Sequence, residues 1–136
     1  MVIEKTDLEI IKKYLIEKVS PYLIILFGSA ASGNMRSDSD IDIAFLSNKK
    51  ISAYNLFLMS QELAELLGRN VDIIDLEEAT TVFQMQILSK GKVIYCVNEK
   101  KRVHFQILTY KKYARLNEER KHILDKITRR GSVYAE

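Results

Sequence analysis

Apolar residues at Leu8, Ile11, Leu15 and Val19 recur every three or four positions and draw one stripe along a helix. Thr6-Asp7-Leu8-Glu9 has the capping-box pattern that starts such a helix, and Ser20-Pro21 stops it. Tyr22 to Phe27 (YLIILF) is apolar without alternation, which predicts a strand covered on both faces. After a polar interval, Ile41 to Leu46 forms a second strand. Ser52 caps a helix through Leu67, with Leu56, Met59, Leu63, Leu66 and Leu67 turned inward and Gly68 at its end. Val71 to Asp75 is a third strand, a helix runs over about 80–89 until Gly91, and Val93 to Val97 is a fourth strand. From Glu99 to Arg130 there is no Pro or Gly, so one long helix or a close helical pair follows, with Val103, Ile107, Tyr110 and Ala114 against the sheet. The succession of elements predicts an α/β (α+β) fold in which helices flank a sheet.

Composition narrows the class. At 136 residues, with 47% hydrophobic and 29% charged positions, the chain is one folded domain and not a disordered one. No apolar run approaches the roughly 20 residues that span a bilayer, and the mixed charges of MVIEKTDLEIIKK do not make a signal peptide. Cys96, in VIYCV, reads as a reduced core thiol, so a cytoplasmic protein without membrane contact is expected. The net charge of +3 is uneven. Residues 1–98 carry ten Lys/Arg against thirteen Asp/Glu, whereas residues 99–136 carry eleven against five. An acidic body and a basic tail suggest a cation site in one and a partner surface in the other.

The acidic body holds its chemistry between Leu26 and Leu46, LFGSAASGNMRSDSDIDIAFL. Side chains on a strand alternate, so Asp40 and Asp42 share one side while Ile41 and Ile43 enter the core. Adjacent carboxylates repel and are costly to desolvate, which points to a bound cation. All-oxygen donors suit Mg²⁺ or Mn²⁺. Asp72 adds a third carboxylate if its strand neighbours the second. Gly28-Ser29 ends the first strand, where a Gly allows close backbone approach and a hydroxyl can hold phosphate. A phosphate cradle beside a carboxylate-held dication suits a nucleoside triphosphate.

Gly28-Ser29, ten residues, then Asp40-Ile41-Asp42 resembles the GS-x10-D-x-D motif of the nucleotidyltransferase superfamily related to polymerase beta. Asp72 in VDIIDL falls where small members of that superfamily carry their third carboxylate. The resemblance implies a small mixed sheet flanked by helices, a nucleotidyltransferase core over 1–98, and a helical extension over 99–136 that packs on the core or binds a partner. The basic segment YKKYARLNEERKHILDKI is further similar to MntA-type antitoxins encoded beside HEPN-domain toxins. That family implies Mg²⁺-dependent transfer of AMP from ATP to a tyrosine of the toxin. Asp40, Asp42 and Asp72 would be catalytic and hold two metal ions, while Gly28 and Ser29 would bind the triphosphate. A hetero-oligomer with the toxin would follow. Two alternatives stand beside this: transfer to a small acceptor such as an aminoglycoside, and neutralisation by binding alone.

Other candidates carry less. Many relatives place Arg or Lys before the second glycine of the turn, where this chain has Ser32 before Gly33. Arg36 or Lys49-Lys50 is left to supply a phosphate contact, although solvated charge is the ordinary role of each. Asp38 reads as a turn or cap residue, and Asp75, facing opposite to Asp72, as a salt-bridge partner. His104 and His122 read as helix-surface residues. Tyr110 and Tyr113, among Lys111, Lys112 and Arg115, read as packing or partner contact. Direct nucleic-acid binding is not expected without a groove-reading motif.

Overall fold

The structure, a computed structural model, describes residues 3–33 and 39–134. Helix α1 spans Lys5–Val19, strand β1 Pro21–Phe27, the short helix α2 Ser29–Ser32 and strand β2 Ile41–Ser47. Helix α3 (Ala53–Leu67) leads into β3 (Val71–Asp75), followed by a 3-10 turn at Leu76–Glu78. Then come α4 (Thr81–Lys90), β4 (Lys92–Cys96) and the long α5 (Glu99–Tyr134).

The four strands form one mixed sheet in the order β3-β2-β1-β4. β1 is antiparallel to both neighbours, and β2 runs parallel to β3 through the α3 crossover. Because β1 is central, both its faces are covered, which explains its unbroken apolar run. Ile24 and Leu26, with Ile41, Ile43, Phe45 and Ile73, pack against Ile11, Leu15 and Val19 of α1 and Met59 and Leu63 of α3. Leu23, Ile25, Ala44 and Leu46 pack on the other side against Leu76, Ile87 of α4 and Phe105 of α5.

Several boundaries differ from the sequence expectation, each for a local reason. α1 begins before Thr6, with Glu4 as a cap whose side chain makes no capping bond, so the capping box does not form. Ile3 packs on the core just ahead of the helix, extending the ordered segment past the Thr6 signal. α1 ends at Ser20 in the left-handed region, where its N–H bonds the Ile16 carbonyl. On α3 the buried stripe is Met59, Ser60 and Leu63, whereas Leu66 is mostly exposed because it falls beside that stripe. Ser52 and Thr80 do cap their helices, accepting from Asn55 N–H at 3.1 Å and Phe83 N–H at 3.2 Å.

α5 is one continuous helix, but its packed face is not the predicted one. Val103, Ile107 and Tyr110 are exposed, and the helix turns Phe105 and Thr109 toward the body. Thr109 is 1% exposed. Its hydroxyl donates to the Phe105 carbonyl at 2.9 Å, so its polar group goes inside already satisfied. A search by apolarity alone passes over such a residue.

Candidate active site

Three strands meet at one level of the sheet to build the site. Phe27 closes β1, Asp42 pairs with it across the β1–β2 ladder, and Asp72 pairs with Asp42 across the β2–β3 ladder. Residues opposite one another share a face. Parallel neighbours lie about 4.8 Å apart, so the Asp42 and Asp72 carboxylates project side by side. They share that face with Ala44 and Leu46 further along β2, which α4 and α5 cover. At the Asp42 end the helical cover stops, leaving Asp42 half-buried and Asp72 exposed.

The carboxyl of Asp42 is pushed above the usual aspartate range, first by burial, then by the charge of Asp72 and after that by Asp40. Asp40 is exposed on the segment entering β2. That segment is anchored twice. The Arg69 guanidinium donates to the Ser39 carbonyl at 3.0 Å, and Ile41 N–H donates to the Asn70 carbonyl at 2.9 Å. The turn after α3 thus fixes the approach to both aspartates, a role nothing in the local sequence around Arg69 announces.

Gly28 ties the phosphate-cradle candidate to the carboxylates. Its φ of 65° is left-handed, and a Cβ there would stand 2.5 Å from Asp42 Oδ2. Only a glycine lets the turn lie against that carboxylate. Its carbonyl accepts from Ala31 and Ser32 N–H, each at 3.2 Å, closing the helical turn that Ser29 opens. Gly28, Ser29, Asp42, Asp72 and Asp40 therefore occupy one locus, Asp72 being brought there by the β2–β3 pairing.

Arg36 and Asp38 lie outside the described residues. Lys49 and Lys50 follow the far end of β2. At about 3.3 Å per residue that is roughly 20 Å from Asp42, too far to contact a phosphate on Gly28-Ser29. A cation the sequence did not single out, Lys92, lines a pocket of about 270 Å³ beside that turn, with Ala30, Ala31, Ser32 and Gly33. The β1–β4 pairing that brings it there, Leu26 opposite Lys92, cannot be read from local pattern. Asp75 accepts from Glu77 N–H at 3.0 Å and caps the 3-10 turn, with Lys50 as a nearby positive charge. His104 and His122 are exposed on α5, as expected.

The donor set fits a hard divalent cation: carboxylates on neighbouring strands, one of them reluctant to ionise without a counter-charge. Among the described residues no three acidic, His or Cys side chains are yet drawn tightly enough together to hold an ion. Asp40, Asp42 and Asp72 are the residues that would hold it.

Comparison with known proteins agrees with this geometry. The family model "Polymerase beta, Nucleotidyltransferase" matches residues 9–100. Protein adenylyltransferase MntA of Shewanella oneidensis is 34% identical over 105 residues, covering 77% of this chain and 75% of that protein. A crystal structure of a toxin-antitoxin with AMP-PNP superposes with a TM-score of 0.79 at 32% identity, over 89% of this chain and 98% of that one. A structure of tri-AMPylated Shewanella oneidensis HEPN toxin in complex with MNT antitoxin gives 0.77 at 29% identity, over 93% and 99%. With two thirds of its length inside the family model and the motif residues gathered at one locus, the chain belongs to the polymerase-beta nucleotidyltransferase family.

Proposed function

We propose that this chain is a protein adenylyltransferase acting as an antitoxin: it transfers AMP from ATP to a tyrosine hydroxyl of a HEPN-domain toxin and so neutralises it. The observation that carries the reading is the in-register pair Asp42–Asp72, with Asp42 lying against Gly28. The relatives support the donor and the partner, since one is a toxin-antitoxin structure with AMP-PNP and another contains an AMPylated HEPN toxin.

Gly28 and Ser29 hold the triphosphate, with the Ser29 hydroxyl donating to a phosphate oxygen. Asp72 accepts the proton of the incoming tyrosine hydroxyl. The phenolic oxygen forms its bond to the α-phosphorus as the bond from that phosphorus to the β-phosphate oxygen breaks, and pyrophosphate leaves. Mg²⁺, as two ions in the family's manner or Mn²⁺ in its place, would be held by Asp40, Asp42 and Asp72 and would neutralise charge on the triphosphate. ATP as donor and a free thiol at Cys96 agree with a cytoplasmic setting. Among the described residues no helix is long and apolar enough to cross a membrane.

The test is Asp42→Asn. It keeps the side-chain volume and removes a charge the cation site needs, so labelled AMP transfer to the toxin should fall below detection while the protein stays folded. Full transfer by the variant with unchanged Mg²⁺ dependence would overturn the mechanism.

A further inference from the structure

β3 is an edge strand, and a groove of about 820 Å³ runs along its open side between α3 and the start of α4. That is the size of a ligand site. Asp40 and Asp72 stand at one end, so the groove leads directly to the carboxylate that receives the acceptor's proton. Its two walls carry exposed aromatic rings, Phe57 on α3 at 59% exposure and Phe83 on α4 at 37%. Phe83 is held in place edge-on to Phe27, with ring centroids 5.5 Å apart. Large rings left in water along a groove are the usual anchors for a partner.

We infer that this groove seats the acceptor segment of the protein partner, a stretch with apolar or aromatic side chains flanked by Lys or Arg. The inference rests on the proposed transfer to a protein hydroxyl and adds where that protein lies. Charge sets the flanks. The groove is lined by Asp40, Asp72, Asp75 and Glu78, with no Lys or Arg among its described lining residues. The backbone sets the mode of recognition. Ile73 N–H, on the outer side of the edge strand, donates to Ser60 Oγ at 3.1 Å, and Ser60 donates onward to the Leu56 carbonyl at 3.0 Å. With that outward amide taken in the middle of β3, a partner strand cannot extend the sheet through an unbroken ladder. The segment is read through side chains, Phe57 and Phe83 holding its apolar residues and the carboxylates its cations.

The experiment uses full-length Phe57→Ala and Glu78→Arg, both exposed positions, with the HEPN toxin as acceptor and labelled ATP. Each variant should raise the toxin concentration for half-maximal transfer about tenfold, leaving ATP affinity and the rate at saturating toxin within twofold. Glu78→Arg should also flatten the salt dependence of that concentration. Unchanged half-saturation in both variants would overturn the inference, as would a selective loss of ATP affinity, which would make the groove a nucleotide subsite. A wild-type protein that transfers nothing would instead defeat the proposed function. Direct titration of toxin onto the wild type and the two variants then decides the groove alone, with equal affinities overturning it.

Discussion

Asp42 is the residue on which electrostatics and fold meet. Burial and two neighbouring carboxylates raise its pKa above the ordinary aspartate value, so the native state holds a proton there more tightly than the unfolded chain does. Its sign follows directly. Below the unfolded value both states are protonated and the site costs nothing; as pH rises through the interval up to the raised native value, the unfolded chain releases its proton while the fold still holds it, and stability falls. Metal-free wild type should therefore fall behind Asp42→Asn in thermal stability as pH rises through that interval. Added Mg²⁺ should close the gap by stabilising the wild type alone. Melting curves at stepped pH with chelator and then with Mg²⁺ check both halves. A gap independent of pH would mean that Asp42 is not under the strain its neighbours imply. Asp42 was readable because its spacing from Gly28-Ser29 is local sequence, whereas the contact between Gly28 and its carboxylate depends on how β1 and β2 pair.

Helix α3 and strand β3 are joined by one buried hydroxyl. Ser60 is buried in the α3 stripe, accepts from Ile73 N–H and donates to Leu56 O. Ser60→Ala leaves the Ile73 amide without that acceptor, and an unsatisfied buried donor costs about 1–3 kcal/mol. Denaturant unfolding should show a loss of that size, and hydrogen exchange at Ile73 should quicken more than at β1 amides. Equal protection in wild type and variant would show that the hydroxyl does not secure the edge. Elements of this kind mark what sequence can and cannot reveal. β1, β2 and β3 were legible within a residue because runs such as YLIILF and VDIID between turn residues leave little choice. The Ser60 bridge, the buried Thr109 and the anchoring Arg69 were not, since each is a polar group whose role depends on a partner elsewhere on the chain. The short α2 helix is hidden for a similar reason: its four residues SAAS show no period.

Across the whole molecule, α5 joins two regimes. Its first turns pack on α4 and β1 through Phe105 and Thr109, and Tyr113 and Leu116 are still partly covered. From Asn117 to Arg129 every residue is exposed, Ile123, Leu124 and Ile127 among them. At 1.5 Å per residue the 36-residue helix is about 54 Å long. The exposed stretch 117–129 is no longer than the roughly 12–15 residues below which an isolated helix is marginal in water, so its exposed apolar side chains suit a helix completed by a partner. The basic charge is not concentrated there: residues 119–136 hold five Lys/Arg against three Asp/Glu, and residues 99–118 hold six against two. Removing the chain after Glu118 should thus weaken toxin binding chiefly by speeding dissociation, while Lys111, Lys112 and Arg115 keep association salt-dependent. The body should stay folded, because Phe105, Thr109 and Leu116 remain, and pyrophosphate release with ATP alone should persist. Kinetics of toxin binding at two salt concentrations, beside that release assay, make the test. Unchanged dissociation would show that the projecting half of α5 takes no part in the complex, and loss of soluble protein would make it part of the core.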